Sequence, residues 1–312
     1  MRENVRMKYI TDLSKEQFHN SIVTLGKFDG NHIGHQLLFN TTIDLKKQKS
    51  GYKAVIFTFD VHVSKVINNE NVQTIFSHEE KTFKEYEDNI DYVVEFPFNN
   101  ETKNMSPESF VKDILVDKLD TKDIVVGVDF CFGKDRKGNV SLLKEYGKKY
   151  NFNIHALNKV KYNNNEVSST LIKQELVKGN LEDVNIMLGN PFSIKGNVLH
   201  GKHFGHTIGF PTVNFIVPDE KIMPPNGVYA TKTIIGEKEY LSITNVGTRP
   251  TFDDGDKRTV ETNIFDFDDD IYGQNVEVRF YKYIRPEKKF EDIDKLKSEI
   301  EKNAQYVREI FR

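Results

Sequence analysis

Short β-rich runs separated by helix-length segments fill the first 184 residues, and this order constrains the fold more than any other feature. A helical pattern begins at about Ile33, and another begins with Ser106 as N-cap and Pro107 at the first helical position. Parallel strands need crossover connections of this length, and such connections are right-handed. We therefore predict a doubly wound, Rossmann-like α/β domain with a parallel sheet. The runs rich in β-branched and aromatic residues are 21–26, 52–59, 90–98 and 123–130.

The pattern changes near residue 185. Two short helical segments, closed by Gly179 and Gly189, lead into a region of short alternating or β-rich runs with turns between them. Residues 291–312 are charged, with apolar side chains at helical spacing, and so predict an amphipathic helix. We expect an antiparallel β-barrel with a closing helix, and hence domains at 1–184 and 185–312. The β-rich runs of the second domain are 192–199, 227–235, 240–247, 260–267 and 275–284.

Composition limits the class of protein. At 312 residues the chain exceeds one typical domain, and 38% hydrophobic with 29% charged residues suits a soluble protein. No apolar run approaches the roughly 20 residues of a membrane span, and the N-terminus lacks a secretory signal. Cys131 is the only cysteine, which favours a reducing cytoplasm. The net charge of −3 argues against a protein that coats nucleic acid, so we expect neither a nucleic-acid nor a membrane partner.

A histidine pair follows the first long strand, in "TLGKFDGNHIGHQLLF" at residues 24–39. His32 and His35 have three readings: solvated helix residues, a metal site that recruits Asp29 and His62, or a phosphate-binding site. A glycine-containing turn after a strand brings N–H groups to the sheet edge where nucleotides bind. Imidazoles there can donate hydrogen bonds to phosphate oxygens as negative charge develops, and Gly34 leaves space in which a purine could lie.

Residues 32–35 read "HIGH", the signature of class I nucleotidyltransferases. With its flanks, "GKFDGNHIGH" closely resembles the corresponding stretch of bacterial bifunctional riboflavin kinase/FAD synthetases. The resemblance continues at "GVDFCFGKDRKGN" (127–139) and "VSSTLIKQELVKGN" (167–180), and it covers nearly the whole chain in the expected order. It implies that the first domain is an FMN adenylyltransferase that makes FAD from FMN and ATP. His32 and His35 would be its catalytic residues.

The same resemblance implies the other residues of this site. Ser169 and Thr170 suit a phosphate loop because hydroxyls at a helix start can hydrogen-bond phosphate, and Lys173 adds positive charge. A simple helix-capping sequence is the alternative for this segment. ATP would contact Gly26, Phe28, Asp29, Gly30, Asn31, Gly34, Ser169, Thr170 and Lys173, and the flavin would contact His62, Asp129, Phe130 and Arg136.

The chain departs from the family pattern at several positions of this site. It reads "TFDVHV" at 58–63 where the family usually shows "TFDPHP". Leu171 and Lys173 stand where the family has arginines in the phosphate loop, and Cys131 replaces another arginine. Lysine cannot reproduce a bidentate arginine contact, so we expect adenylyl transfer to be weaker or differently tuned.

A second phosphate-binding pattern lies in "GKHFGHTIGFPTVNF" at residues 201–215. Glycine-rich turns let the backbone approach phosphate closely. Thr212 and Asn214 lie on the same side of an extended segment, and their oxygens are hard ligands suited to Mg²⁺. An ordinary barrel strand with polar residues is the alternative. Together with "PPNGVYAT", "ITNVGTRPTF" and the region 260–290, this stretch resembles the riboflavin kinase module of the same family.

This second resemblance implies that the C-terminal domain phosphorylates riboflavin to FMN with ATP. Glu261 would be the catalytic base that takes the proton from the ribityl 5′-hydroxyl, and Thr212 and Asn214 would hold Mg²⁺. His206 stands where the family has arginine, so we expect a lower or more pH-dependent affinity for ATP. ATP would contact Gly201, Gly205, Gly209 and Pro211, and the flavin would contact Arg285, Glu287 and Phe290.

The preferred function is a cytoplasmic bifunctional enzyme, a monomer or weak homo-oligomer, that converts riboflavin to FMN and FMN to FAD. One alternative is a riboflavin kinase whose first domain has a weakened or inactive adenylyltransferase site, because the family arginines are missing. Another is a non-catalytic flavin-sensing regulator, against which Glu261, Thr212 and Asn214 argue. A cytidylyltransferase also shares "HIGH" but would not carry the barrel.

Overall fold

The computed structural model describes residues 7–60, 72–199, 212–251, 255–267 and 269–312, without the side chains of 249–251 and 255–257. The chain divides into two compact units, and each is described by itself. Unit 1 comprises Met1–Val72 and Lys81–Ser168, and unit 2 comprises Gln73–Glu80 and Ser169–Arg312. Among the described residues, no helix combines the length and the apolar character needed to cross a membrane.

Unit 1 is built on a six-stranded sheet in which all neighbouring strands are parallel, as predicted. Its strand order is β1-β4-β3-β2-β5-β6. β3 and β5 therefore lie on opposite sides of β2, so the direction in which strands are added to the sheet reverses at β2. In open α/β sheets, ligands bind at the carboxyl ends of the strands beside such a reversal. The strands are β1 (Lys8–Ile10), β2 (Ser21–Leu25), β3 (Lys53–Phe59), β4 (Tyr92–Phe96), β5 (Thr121–Gly127) and β6 (Asn153–Leu157).

Helices cover both faces of this sheet, which confirms the doubly wound α/β prediction. On one face, α1 (Ile33–Gln48) buries Leu38, Phe39 and Ile43 against the strands. On the other face lie α2 (Val140–Tyr150) and a helical segment that starts at Pro107–Ser109 and widens into π-helical turns over Phe110–Val116. Ser106 caps that segment as predicted, because its Oγ accepts a hydrogen bond from the Ser109 N–H at 3.0 Å. A shorter helix spans Asn100–Lys103.

Unit 2 contains a six-stranded antiparallel sheet in the order β7-β12-β9-β10-β11-β8. An isolated β-bridge pairs Leu199, which follows the edge strand β7, with Asn214 of the opposite edge strand β8. The sheet thus curls into a half-barrel, which confirms the predicted all-β architecture of the second half. The strands are β7 (Phe192–Asn197), β8 (Thr212–Ile216), β9 (Gly227–Ile235), β10 (Lys238–Thr251), β11 (Gly255–Ile264) and β12 (Asn275–Arg285).

The two faces of the unit 2 sheet differ in what covers them. The predicted C-terminal helix α5 (Ile293–Ile310) buries Ala304 and Val307 against Val228 and Ile243 on one face. On the other face, hydroxyl groups are buried and hydrogen-bonded to one another at 2.8–2.9 Å, so that none is left unsatisfied. These hydroxyls belong to Thr231, Thr233, Ser242, Thr244 and Thr262. Helices α3 (Ser169–Lys178) and α4 (Leu181–Leu188) precede the sheet in the chain.

Residues 73–80 interrupt the first half of the sequence but belong to unit 2. The backbone of Thr74 pairs with residues 220–222, since its N–H donates to the Glu220 carbonyl and its carbonyl accepts from the Ile222 N–H. The carboxylate of Glu80 accepts hydrogen bonds from the Lys221 ammonium at 2.6 Å and from the Lys195 N–H at 2.8 Å. Nothing in the local sequence pattern indicates this assignment.

Candidate functional site

The loop of residues 26–32, called here the histidine loop, joins β2 to α1 through unusual backbone angles. Gly30 has a φ of 91°, and Phe28 and Asn31 have φ values of 51° and 44°, in the left-handed region. A Cβ atom on Gly26 would lie 2.6 Å from the ring of Phe28, which is fully buried under the loop. The loop is therefore compact, and it holds the start of α1 at the carboxyl end of β2.

The rings of His32 and His35 stack on each other, with centroids 3.6 Å apart and planes inclined by 19°. A Cβ atom on Gly34 would lie 3.1 Å from the His32 ring, so glycine at this position makes room for the imidazole. His32 is buried, and the Nδ1 atoms of both rings are buried without a hydrogen-bond partner among the described residues. These are not the solvated helix residues of the simplest reading.

Burial decides the charge state of this pair. It lowers the pKa of His32 to about 4, although the nearby Asp29 carboxylate opposes the shift. Burial also places the pKa of His35 well below its ordinary value, and His32 and Lys81 lower it further. Both imidazoles are neutral at pH 7, and each then offers one N–H donor. An anion that binds against them would favour their charged form, since opposite charge raises a histidine pKa.

The described residues offer no further ligands that would complete a metal site at the histidine pair. Within those ranges, no group of three or more His, Cys, Asp or Glu side chains could hold a metal ion. His62, which a metal site would have to recruit and which the flavin was predicted to contact, lies outside the described residues.

Lys81 is a charged residue of this region that carries no signal in the sequence. Its Nζ donates a hydrogen bond to Thr58 Oγ1 at 2.8 Å, at the carboxyl end of β3. Burial lowers its pKa to about 8, while the carboxylates of Glu95, Asp29 and Asp60 act in the opposite direction. Lys81 lies 23 positions after Thr58 in the sequence, so no spacing rule could have found the contact.

Unit 1 also holds a cavity of about 550 Å³, called here the aromatic cavity. Gly26 and Lys27 of the histidine loop line it, together with Asp129 and Arg136. A cavity of this size with apolar walls and a few charged groups is typical of a site for a small aromatic ligand. Seven phenylalanines contribute to its walls: Phe57, Phe59, Phe96, Phe98, Phe110, Phe130 and Phe132.

The loop that follows β5 brings the predicted flavin residues to this cavity. The rings of Phe130 and Phe132 stack with centroids 5.7 Å apart, and Arg136 has a left-handed φ of 57°. A Cβ atom on Gly133 would lie 2.8 Å from Pro107, so the loop can close only with glycine at this position. Asp129, Phe130 and Arg136 are thus brought together at the cavity, which Cys131 also lines.

The predicted phosphate loop belongs to unit 2. Ser169 is the first residue of α3, and Thr170 and Lys173 follow within its first turn and a half. The hydroxyls therefore lie at a helix start, as predicted. The ATP residues predicted from the sequence are divided between the two units, because Gly26 to Gly34 belong to unit 1.

In unit 2, the predicted catalytic base and a predicted metal ligand lie opposite each other on two neighbouring strands. Asn214 of β8 is directly opposite Glu261 of β11, and Asn245 of β10 is opposite Glu261 on its other side. Directly opposite residues project from the same face of a sheet. Thr212, two residues before Asn214, shares that face. Asn214 Oδ1 is buried and has no hydrogen-bond partner among the described residues, which suits an oxygen that ligates a cation.

One predicted flavin residue of the kinase, Glu287, contacts Asn245, which lies opposite Glu261. Glu287 accepts a hydrogen bond from Asn245 Nδ2 at 3.2 Å, and a Cβ atom on Gly247 would lie 2.6 Å from the same carboxylate. The guanidinium of Arg285 lies 5.8 Å from the centroid of the Phe290 ring, and its Nε is 3.1 Å from Glu299. The sequence patterns do not single out Asn245. Four predicted ATP residues lie outside the described ranges: Gly201, Gly205, Gly209 and Pro211.

Two family models match the chain, one in each half. A model described as FAD synthetase matches residues 14–171, and a model described as riboflavin kinase matches residues 188–311. A crystal structure described as a macrolide-efflux protein from Streptococcus pneumoniae has a TM-score of 0.86 and 28% identity, and covers 97% of this chain and 98% of that chain. The two chains therefore share a fold.

Curated relatives are similar over nearly the whole chain. A protein from Buchnera aphidicola is 36% identical over 298 residues, which cover 94% of each chain. Proteins from Listeria monocytogenes and Escherichia coli are 34% and 33% identical, and cover 94% and 97% of this chain and 93% and 96% of their own. All three are named bifunctional riboflavin kinase/FMN adenylyltransferase.

Proposed function

The chain belongs to the family of bifunctional riboflavin kinase/FMN adenylyltransferases, and we propose how its two activities are divided between its sites. It phosphorylates riboflavin to FMN and adenylylates FMN to FAD, with ATP as co-substrate of both reactions. In our proposal residues 1–184 carry the adenylyltransferase and residues 185–312 the kinase. The family-model matches at 14–171 and 188–311 support this division.

One observation carries the assignment of the adenylyltransferase site. Gly26 and Lys27 of the histidine loop line the aromatic cavity, and the same loop ends at the stacked pair of His32 and His35. A flavin ring in the cavity would therefore lie beside the loop that presents donors for phosphate. Asp129, Phe130 and Arg136 are the residues we assign to the flavin.

In adenylyl transfer, the site has to stabilise developing negative charge, and it does not have to remove a proton. An anionic oxygen of the FMN phosphate attacks the α-phosphorus of ATP and forms the new P–O bond. The bond from the α-phosphorus to the bridging oxygen breaks, and pyrophosphate leaves with that electron pair. The nucleophile is already ionised, so no base is needed. His32 and His35 donate hydrogen bonds to the phosphate oxygens, and a preorganised donor of this kind accelerates a reaction by about 100- to 1,000-fold.

The kinase reaction does require a base. The carboxylate of Glu261 takes the proton of the ribityl 5′-hydroxyl as that oxygen attacks the γ-phosphorus of ATP. The bond from the γ-phosphorus to the β–γ bridging oxygen breaks, and ADP leaves with that electron pair. Asn214 and Thr212 would hold Mg²⁺, for which the orphaned Asn214 Oδ1 is the supporting observation. When bound, the cation neutralises negative charge on the phosphates. Glu287, held by Asn245, lies with Arg285 and Phe290 where we assign the flavin.

We include in this proposal a cytoplasmic location and a monomer or weak homo-oligomer. The dependence on ATP and the single cysteine support the location. Sedimentation of the pure protein at micromolar concentration tests the assembly, and a stable higher oligomer would overturn that part.

A time course of flavin products tests the proposed function. The pure protein is incubated with riboflavin, ATP and Mg²⁺, and the flavins are separated at intervals. We expect FMN to appear first and FAD to follow at its expense. FMN without FAD would remove the adenylyltransferase activity from the first domain, and the absence of both products would overturn both assignments.

A further inference from the structure

The segment of residues 81–83 is fixed against the histidine loop. The side-chain amide of Asn31 donates a hydrogen bond to the Thr82 carbonyl at 2.9 Å. Phe83 is fully buried, and its ring contacts Phe28 edge-on with centroids 6.2 Å apart. Phe28 in turn lies edge-on to His35 at 5.2 Å. The backbone of Lys81 is therefore held beside the loop that ends at the histidine pair.

The Lys81 side chain points to the carboxyl edge of the sheet. Its ammonium donates to Thr58 Oγ1, one residue before the end of β3, and β3 pairs directly with β2. Within the described ranges this is the hydrogen bond that the ammonium makes, and an ammonium has three N–H donors. The ammonium therefore keeps two N–H donors that make no hydrogen bond within the described ranges.

At the carboxyl edge of the unit 1 sheet, a phosphate group can bind only if a positive charge offsets the nearby carboxylates. The carboxylates of Asp29, Asp60 and Glu95 act on the ammonium, and both imidazoles are neutral at pH 7. A triphosphate that approaches this edge meets three carboxylates, and the histidines carry no positive charge before it binds. Lys81 is half-buried, so its charge is screened less by water than that of a surface lysine.

We propose that Lys81 is a phosphate-binding residue of the adenylyltransferase site, whose ammonium binds the polyphosphate of ATP and the departing pyrophosphate. The inference rests on the proposed adenylyltransferase function of this domain. Negative charge moves onto pyrophosphate as the bond between the α-phosphorus and the bridging oxygen breaks, and a fixed ammonium beside His35 stabilises that charge.

Three full-length variants test the role. Lys81→Met removes the charge and keeps the length of the side chain, Lys81→Arg keeps the charge, and Lys84→Met is the matched control on an exposed lysine three residues away. We expect Lys81→Met to lower kcat/KM for ATP in FAD formation about 100-fold. Lys81→Arg should retain at least a tenth of it, and Lys84→Met should match the wild type. All three should phosphorylate riboflavin at the wild-type rate, and an unchanged urea unfolding curve followed by circular dichroism shows that unit 1, which carries residue 81, is folded.

The pH profile separates binding from a merely structural role. The pKa of Lys81 is lowered to about 8, and kcat/KM reports the free enzyme, so the wild-type value should fall above about pH 8. In Lys81→Arg this alkaline fall should move up by at least one pH unit, because arginine does not titrate there. An unchanged kcat/KM in Lys81→Met, or an alkaline fall that stays in place in Lys81→Arg, overturns the inference alone. A wild type that forms no FAD overturns the proposed function with it.

Discussion

The ammonium of Lys221 lies 2.6 Å from the carboxylate of Glu80, although the two residues are 141 positions apart in the chain. Both side chains are almost fully buried, at 0% and 4% exposure. The ammonium also donates to the Ile75 carbonyl at 3.0 Å and lies over the ring of Phe192. The pair therefore fastens a short segment of the first half of the sequence into unit 2, with its charges paired and hydrogen-bonded as burial requires.

Breaking this pair on one side should destabilise unit 2 strongly. Glu80→Gln leaves the Lys221 ammonium buried without its counter-charge, and such single removals cost about 3–5 kcal/mol. The double variant Glu80→Gln/Lys221→Met should recover part of the loss, since no unpaired charge remains. Urea unfolding followed by circular dichroism measures both values. Lys178→Met, which removes the exposed ammonium that pairs with Glu175, is the control and should unfold close to the wild type. Equal midpoints for all variants would contradict this account.

Acid should destabilise unit 1 through the histidine pair. The folded protein keeps His32 neutral down to about pH 4, whereas an unfolded histidine takes up a proton near pH 6.5. The unfolded state then binds more protons between these values, so the free energy of unfolding falls as the pH falls through this window. The slope is at most about 1.4 kcal/mol per pH unit for one group. Urea unfolding at several pH values from 4 to 7.5 should show a smaller slope for His32→Asn, and an identical slope would refute the assignment.

The orphaned oxygen of Asn214 predicts a specific magnesium phenotype. Asn214→Ala should raise the Mg²⁺ concentration for half-maximal riboflavin phosphorylation about tenfold or more, since a ligand is lost. Asn275→Ala, at an exposed position of β12, is the matched control and should behave as the wild type. FAD formation from FMN should change in neither variant. If the Mg²⁺ dependence of Asn214→Ala equals that of the control, Asn214 is not a ligand.

The sequence predicted the fold where burial imposes a pattern. Strands β2 to β5 are continuous apolar runs because helices cover both faces, and they were found from the sequence alone. β1 has three residues, Lys8–Ile10, of which two are exposed, so it is too short and too polar to give a signal. The assignment of residues 73–80 to unit 2 depends on Lys221, and no local pattern carries that information.

In the candidate sites, too, the sequence predicts the residues that belong to a local motif and misses those that depend on contacts between distant segments. The letters of the histidine loop predicted His32 and His35, because backbone turns and donors at a sheet edge leave a local signature. Their stacking, their neutral state and the presence of Lys81 depend on packing between β3, α1 and the segment before β4. Asn245 likewise became visible only through the strand register that places it opposite Glu261. Contacts of this kind join distant residues, and spacing along one sequence does not encode them.

The central claim is that one chain carries two separable reactions, and a mixing experiment tests it most directly. With riboflavin, ATP and Mg²⁺, the variant His32→Asn/His35→Asn should stop at FMN, and Glu261→Gln should make neither product but should still convert added FMN to FAD. Mixed together, the two variants should make FAD from riboflavin, because FMN released by one is used by the other. FAD formed at the wild-type rate by the histidine variant alone, or no FAD from the mixture, would contradict the account.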